Sequence, residues 1–313
     1  MNMTELAASR DGYGNALISM SGDPKLVVLE ADLGKSTKSC WFRDKFPERT
    51  VSCGIGEQNM MLVAAGLASS GFKPFASTFA IFTERAFEQV RNGICRPNLP
   101  VHICGSHGGT HTGTDGSSAQ SIEDLAIYRS LPNMVVMHPC DDVSTEILTK
   151  KLLEIKSPSY TRTARNKTPR VYDLDDSRIQ IGKGVKLRSG SDVAIIACGV
   201  MVSKSLEAAK KLSERGIEAT VVDMHTIKPL DEELVHQLAS ECKLIVTVED
   251  HSVIGGLGGA VAEYLSENIP TILRRVGVRD RFGESGQAEE MLELLKISTN
   301  DIIDSVLEIK EKV

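Results

Sequence analysis

VHICGSHGGTHTGTDGSSAQSIEDLAIYRSLPNMVVMHPCDDVSTEILTKKLLEIKSPSYTRTAR, residues 101–165, is the stretch that decides the fold. VHICGSH (101–107) is a β-prone run and reads as a strand. A long loop of small and polar residues, GSHGGTHTGTDGSS, follows it; SIEDLAIYRSL is then a helical pattern stopped by Pro132. MVVMHP reads as the next strand, DVSTEILTKKLLEI as a helix, and SYTRTAR (159–165) as a third strand. Strands alternating with helices specify parallel βαβ units, with helices on both faces of one sheet.

The alternation extends in both directions. Upstream, LVVLEAD (26–32) is a buried strand, GEQNMMLVAAGLASS (56–70) a helix ending at Gly71, FKPFASTFA a strand and FTERAFEQVRNGI a helix. Downstream the pattern lapses around residues 166–190, a polar, turn-rich segment without periodicity that reads as a linker. DVAIIACG, ATVVDMHT, KLIVTVED and TILRRVGV then read as strands, with a helix from Ser203 to Arg215 between the first two. The expectation is an α/β protein of two domains, residues 1–175 and 185–313. Each is a mainly parallel twisted sheet with helices on both faces.

Composition narrows the function. The 313 residues are 41% hydrophobic and 25% charged, as in an ordinary soluble protein. A net charge of −6 with both signs interspersed excludes the basic face of a nucleic-acid or membrane-surface binder. Cysteines 40, 53, 95, 104, 140, 198 and 242 fall at no C-x-x-C spacing, which points to reduced thiols and a cytoplasmic location. The N-terminal MNMTELAASRDGYG has no apolar core, and no apolar run reaches about 18 residues, so neither a leader nor a membrane span is expected.

Open parallel sheets bind ligands beyond the carboxyl ends of their strands. Here those segments are Asp32–Ser39, Gly54–Gln58, Thr78–Phe82, Gly105–Asp115 and Arg165. Glu57, in CGIGEQNM, sits where a loop enters a helix. Alone, such a glutamate is most often a first-turn residue favoured by the helix dipole. Its tight Gly-x-Gly turn also suits a carboxylate held near a ligand. Phe79 and Phe82, in STFAIF, are three apart, so one ring can pack inward while the other lines a cleft for a flat heteroaromatic ligand. His107 and His111 are four apart, but the intervening glycines make a loop, and no third ligand stands at fixed spacing for a metal. GGLGGA (255–260) lacks the full dinucleotide fingerprint and reads as helix packing.

Together these segments resemble the C-terminal half of transketolase. The resemblance rests on PERTVSCGIGEQNMMLVAAGLASSGFKPFASTFAIFTERAFEQVRNGI, on GSHGG…GTDGSSAQSIEDLAIYRSLP, on HTIKPLD and on TVEDHSVIGGLGGAV, and it covers essentially the whole chain. GEQNM, STFAIF and RAFEQ are closer to the animal-type branch. The resemblance implies a pyrimidine-binding domain followed by the transketolase C-terminal domain. It makes Glu57 the glutamate that hydrogen-bonds N1′ of the aminopyrimidine of thiamine diphosphate. Phe82 would stack on that ring, with Phe79 beside it, and Asp32 and Arg85 would lie near the cofactor. Arg10, Ser36, His107 and Arg165 would hold the sugar phosphate, and Asp115 a donor hydroxyl. Animal-type members carry Gln at the position of Ala119, whereas here the glutamine is Gln120.

The family's diphosphate and metal motif, GDG followed by Asn, is absent. The resemblance therefore implies a partner, an N-terminal transketolase subunit that holds Mg2+ or Ca2+ in an α2β2 assembly; the metal ligands are not expected in this chain. The expected reaction is ketol transfer between a ketose phosphate and an aldose phosphate, as in the pentose phosphate pathway. The alternatives are an unusual phosphorylated or sulfonated sugar, the beta subunit of a 2-oxo-acid dehydrogenase, a deoxyxylulose-phosphate synthase-like enzyme, and a non-catalytic paralogue.

Overall fold

The computed structural model describes residues 5–311 except Lys243. In chain order the strands are β1 (Leu6–Ala7), β2 (Leu26–Glu30), β3 (Thr50–Ser52), β4 (Lys73–Phe79), β5 (His102–Ser106), β6 (Val135–Met137), β7 (Ser159–Thr163) and β8 (Thr168–Pro169). There follow β9 (Val185–Arg188), β10 (Val193–Ala197), β11 (Ala219–Asp223), β12 (Thr226–Lys228), β13 (Leu244–Ser252) and β14 (Ile272–Val278). The first sheet has the order β12-β6-β7-β5-β4-β2-β3 and the second β14-β13-β10-β11-β9, while β1 and β8 form a small ribbon. Both sheets are parallel except at one edge each, where β12 runs antiparallel to β6 and β9 antiparallel to β11. The order of β2, β4, β5 and β7 is what right-handed crossovers through covering helices produce.

Strands β2, β5, β7, β10 and β11 are buried along their whole length. The near-continuous apolar runs of β2 (LVVLE) and β10 (VAIIA) follow from cover on both faces, while β5 (HICGS) and β7 (SYTRT) bury polar side chains as well. The helix Asp142–Lys151 begins at a capping box in which Asp141 Oδ1 accepts from Ser144 N at 2.7 Å, a device that stabilises a helix start by about 1 kcal/mol. The two halves share their interior. One apolar cluster joins Leu17 and Phe75 to Ile195 and Leu292; another joins Met60 and Val136 to Ile196 and Leu238.

Three local features depart from the sequence reading. The linker carries β9, which covers an edge of the second sheet. The stretch after β11 does not stay in its own sheet: Thr226–Lys228 crosses over and completes the first one. Lys228 holds the crossing by donating to the carbonyls of Arg129 (3.0 Å) and Leu131 (2.5 Å). The single helix expected over FTERAFEQVRNGI is broken into Ala80–Glu84, Phe87–Gln89 and a π-turn at Val90–Cys95. Ala86 leaves helical geometry there (φ −98°, ψ 17°), and Gly93 in the π-turn weakens any continuous helix. Among the described residues no helix is long and apolar enough to cross a membrane.

Candidate active site

Register brings the site together. Phe79, Ser106 and Thr163 are direct neighbours across β4, β5 and β7. The residues just beyond these ends therefore emerge on one rim: Phe82 after β4, His107 after β5 and Arg165 after β7. Glu30 pairs with Ser77 one strand over, so the Asp32–Ser36 loop leaves β2 at the same rim. That loop folds over the buried Glu30 carboxyl group, which accepts from Arg43 Nη1 (2.5 Å) and Ser39 Oγ (3.3 Å). Gly34 leaves room for it, since a Cβ there would lie 1.7 Å from Glu30 Oε2.

Glu57 is the first residue of the helix Glu57–Ser69 and is only 3% exposed. Its Oε2 is buried and has no hydrogen-bond partner. The nearest cation is Arg85, with Nη1 3.9 Å from that oxygen and the side chain 62% exposed. Gln58 Nε2 donates to the Arg85 carbonyl at 3.2 Å and ties the two segments together. Phe79 and Phe82 lie parallel with centroids 5.6 Å apart, and Phe79 stacks on the His107 imidazole at 3.9 Å. These rings form an aromatic wall. A buried polar oxygen without a partner is costly.

The expected anion residues also converge. Arg10 Nη1 donates to the Ser36 carbonyl at 3.0 Å. Arg165 pairs with Asp115 (Nε–Oδ2 3.3 Å) and donates to Asn166 Oδ1 at 3.1 Å. Burial pushes the His107 pKa down to about 3, helped by the charges of Arg10 and Arg165. His107 is thus a neutral imidazole between two guanidinium groups, its Nδ1 paired with Ser106 Oγ at 2.9 Å. Asp32 and His107 both hold left-handed backbone (φ 61° and 62°), a strained state that clusters at functional sites.

Three residues that sequence reasoning missed, Glu84, Asn166 and Asp250, surround this site, together with Gln120, which the sequence offers only as a displaced substrate contact. Glu84 accepts from Ser121 Oγ at 2.5 Å, and burial pushes its pKa up to about 8, opposed by that bond. Asn166 Nδ2 donates to the His111 carbonyl at 2.6 Å. Asp250, from the second domain, accepts from the backbone of Thr110 and His111. Gln120 is buried and donates to the carbonyls of Gly113 (2.9 Å) and Glu284 (2.8 Å), so its amide nitrogen braces two loops. Only the TVEDH string hinted at one of them, through Asp250. Among the described residues no group of three or more His, Cys, Asp or Glu side chains could hold a metal ion.

Residues 6–170 match the transketolase pyrimidine binding domain, and residues 182–302 the transketolase C-terminal domain. The chain belongs to the transketolase family. It is 43% identical to a putative transketolase C-terminal section of Methanocaldococcus jannaschii, over 97% of this chain and 96% of that one. It is 38% identical to a 6-deoxy-6-sulfo-D-fructose transketolase subunit of a Clostridium species, over 97% and 94%. A solved split-gene transketolase, described as an inactive beta4 tetramer, superposes with a TM-score of 0.91 at 48% identity, covering 97% of this chain and 99% of that one. Like that split transketolase, this chain spans the C-terminal half of the family's architecture, and the family's dependence on thiamine diphosphate comes with it.

Proposed function

We propose that this chain is the pyrimidine-binding subunit of a split transketolase that moves a two-carbon ketol unit from a ketose phosphate to an aldose phosphate. The observation that carries this is the unpartnered, buried Oε2 of Glu57, 3.9 Å from Arg85, which lies three residues after Phe82 of the aromatic wall. Glu57 would hold the hydrogen bond at N1′ of the pyrimidine, Phe82 would stack on the ring, and Phe79, Asp32 and Arg85 would flank it. When bound, thiamine diphosphate supplies the carbon nucleophile and electron sink for cleavage of a carbon–carbon bond. Arg10, Ser36, His107 and Arg165 would grip the substrate's anionic end through charge-assisted hydrogen bonds, leaving Asp115 for a sugar hydroxyl. Two guanidinium groups suit a sulfonate as well as a phosphate. The Clostridium relative favours that second substrate class.

We further infer that a partner subunit carries the diphosphate and its divalent ion, Mg2+ or Ca2+, in an α2β2 assembly. The tetramer built only from beta chains and described as inactive supports this. So does Ile55, 78% exposed two residues before Glu57, which leaves an apolar side chain uncovered on the loop that leads into this helix. Free thiols at all seven cysteines fit the cytoplasm. The two domains follow the boundaries 1–175 and 185–313. The test mixes the chain with an N-terminal-type transketolase subunit, thiamine diphosphate and Mg2+, and assays ketol transfer from phosphorylated and sulfonated donors alongside pyruvate decarboxylation. Transfer is expected from the mixture alone. Turnover by this chain without a partner would refute the split arrangement, and decarboxylation without transfer would refute the reaction.

A further inference from the structure

The loop from His107 to Ser121 carries the anion-binding candidate His107 and the hydroxyl-binding candidate Asp115, yet much of its hold comes from the other domain. Gly109 adopts φ +84°, and a Cβ there would lie 2.2 Å from Asp250 Oδ2. This turn points the amides of Thr110 and His111 into one concavity, the kind of backbone nest that binds anions. Asp250, 1% exposed and 140 residues away, fills it. Its Oδ1 accepts from Thr110 N (2.8 Å) and Thr110 Oγ1 (2.6 Å), and its Oδ2 accepts from His111 N (2.9 Å).

From there the contacts reach both walls of the cage. Thr112 Oγ1 donates to the His107 carbonyl at 2.7 Å. The His111 carbonyl accepts from Asn166, which in turn accepts from Arg165. The far end of the loop is held from the same place. Fully buried Arg162 donates to the Asp250 carbonyl (2.8 Å) and to the Ser121 carbonyl (2.6 Å). Gly109 N donates to that same Ser121 carbonyl at 2.7 Å and closes the base of the loop.

We propose that Asp250 is a positioning residue for substrate binding: its carboxyl group, supplied by the C-terminal domain, fixes the 107–121 loop so that His107 and Arg165 keep the geometry of one anion cage and Asp115 stays beside it. This rests on the ketol-transfer reading above and assigns the second domain a task within it. Asp250 touches neither cofactor nor substrate. Its removal should therefore weaken capture of the charged substrate and leave the chemical step alone, a KM effect rather than a kcat effect.

The test uses the full chain reconstituted with its partner subunit. Asp250→Asn replaces one accepting oxygen with an NH2 group, so at least one of the two amides loses its partner. The expected result is a rise of about tenfold in KM for the phosphorylated donor, the loss of one charge-assisted hydrogen bond. The value of kcat and the cofactor requirement should change by less than about twofold. Hydrogen exchange of peptides covering residues 105–121 should accelerate in the same variant. If Asp250→Asn does not assemble, Thr110→Val removes only the hydroxyl contact and should raise KM about threefold, while Thr110→Ser, which keeps the hydroxyl, restores it. An unchanged KM, a fall confined to kcat, or equal behaviour of the two Thr110 variants would overturn the proposal. A wild-type complex without ketol transfer would count against the function proposed above, and the exchange rates would then decide whether Asp250 holds the loop.

Discussion

Replacing Glu57 with glutamine should make the isolated chain more stable while abolishing most of its activity in the complex. The side chain is 3% exposed and one of its oxygens has no partner. An unmade hydrogen bond at a buried oxygen disfavours the fold by about 1–3 kcal/mol, the upper end applying to charged groups. Two effects oppose this. A first-turn carboxylate gains about 0.3–1 kcal/mol from the helix dipole. Arg85, 3.9 Å away and largely exposed, adds no more than a surface ion pair does, about 0–1 kcal/mol. Glutamine keeps the volume, so no cavity term enters, and its neutral amide is less costly to desolvate. The balance is a gain of about 1 kcal/mol, which for a chain of 313 residues raises the melting temperature by about 1–2 °C. In the reconstituted complex, losing the acid–base group should lower ketol transfer by about 10²–10⁴. Denaturant unfolding of the chain and initial rates of the complex measure the two halves. A variant that is less stable by more than about 1 kcal/mol, or one within about tenfold of wild-type activity, would refute this account of the site.

Stability should peak between about pH 6 and 7. Burial pushes His102 and His107 down to about 3 and His225 and His251 to about 4. Below the ordinary imidazole value of about 6.5 the unfolded chain therefore binds more protons, and stability is lost as the pH falls from there. Burial also raises Glu84 to about 8 and Glu249 and Asp223 to about 7. There the folded chain binds more protons, so stability falls as the pH rises from the usual carboxylate range to about 8. Below pH 6.5 these imidazoles, joined by His111 and His138, which burial also lowers, outweigh the three carboxyls; above it the carboxyls act first, and the buried thiols, raised by burial, add to the same fall at higher pH. Urea midpoints that climb steadily from pH 5 to pH 8.5 would contradict this. Gln120→Glu should destabilise the chain by about 2–4 kcal/mol, because it sets a carboxylate against the carbonyls of Gly113 and Glu284 in place of their donor. A loss under about 0.5 kcal/mol would mean that the brace is dispensable.

The alternation of strands and helices was legible because short β-prone runs and helical patterns succeed one another along the chain, whereas the order of the strands within each sheet was not read. The shared rim of the candidate site residues was legible for a related reason. In a parallel sheet the residues just past each strand share a rim, so Phe82, His107 and Arg165 could be placed together before any distance was known. The break at Ala86 was not legible, since FTERAFEQVRNGI keeps helical spacing throughout and only Gly93 weakens it. Nor was the crossing of Thr226–Lys228 into the first sheet, which depends on carbonyls of Arg129 and Leu131 nearly a hundred residues upstream.

Gln120 marks the limit of reading by position. Set against the animal-type pattern, it looks like a substrate contact displaced by one residue. In the structure its amide nitrogen is occupied by Gly113 and Glu284, the latter 164 residues away, and a Cβ on Gly283 would lie 2.0 Å from its oxygen. Asp250 is similar: an aspartate at the end of a strand is unremarkable until the Gly109 turn aims two amides at it. Residue type permits the left-handed backbone of Asp32 and His107, since aspartate and histidine tolerate it better than most, but does not dictate it, because neither is glycine. Such conformations persist only where the surroundings over-determine them. For His107 those surroundings are the Phe79 ring, the Ser106 hydroxyl and the Thr112 bond to its carbonyl. The site's precision therefore comes from contacts that local sequence patterns do not encode, and many of these join the two domains. For that reason the second domain, which supplies none of the expected substrate contacts, is bound into the first one's geometry.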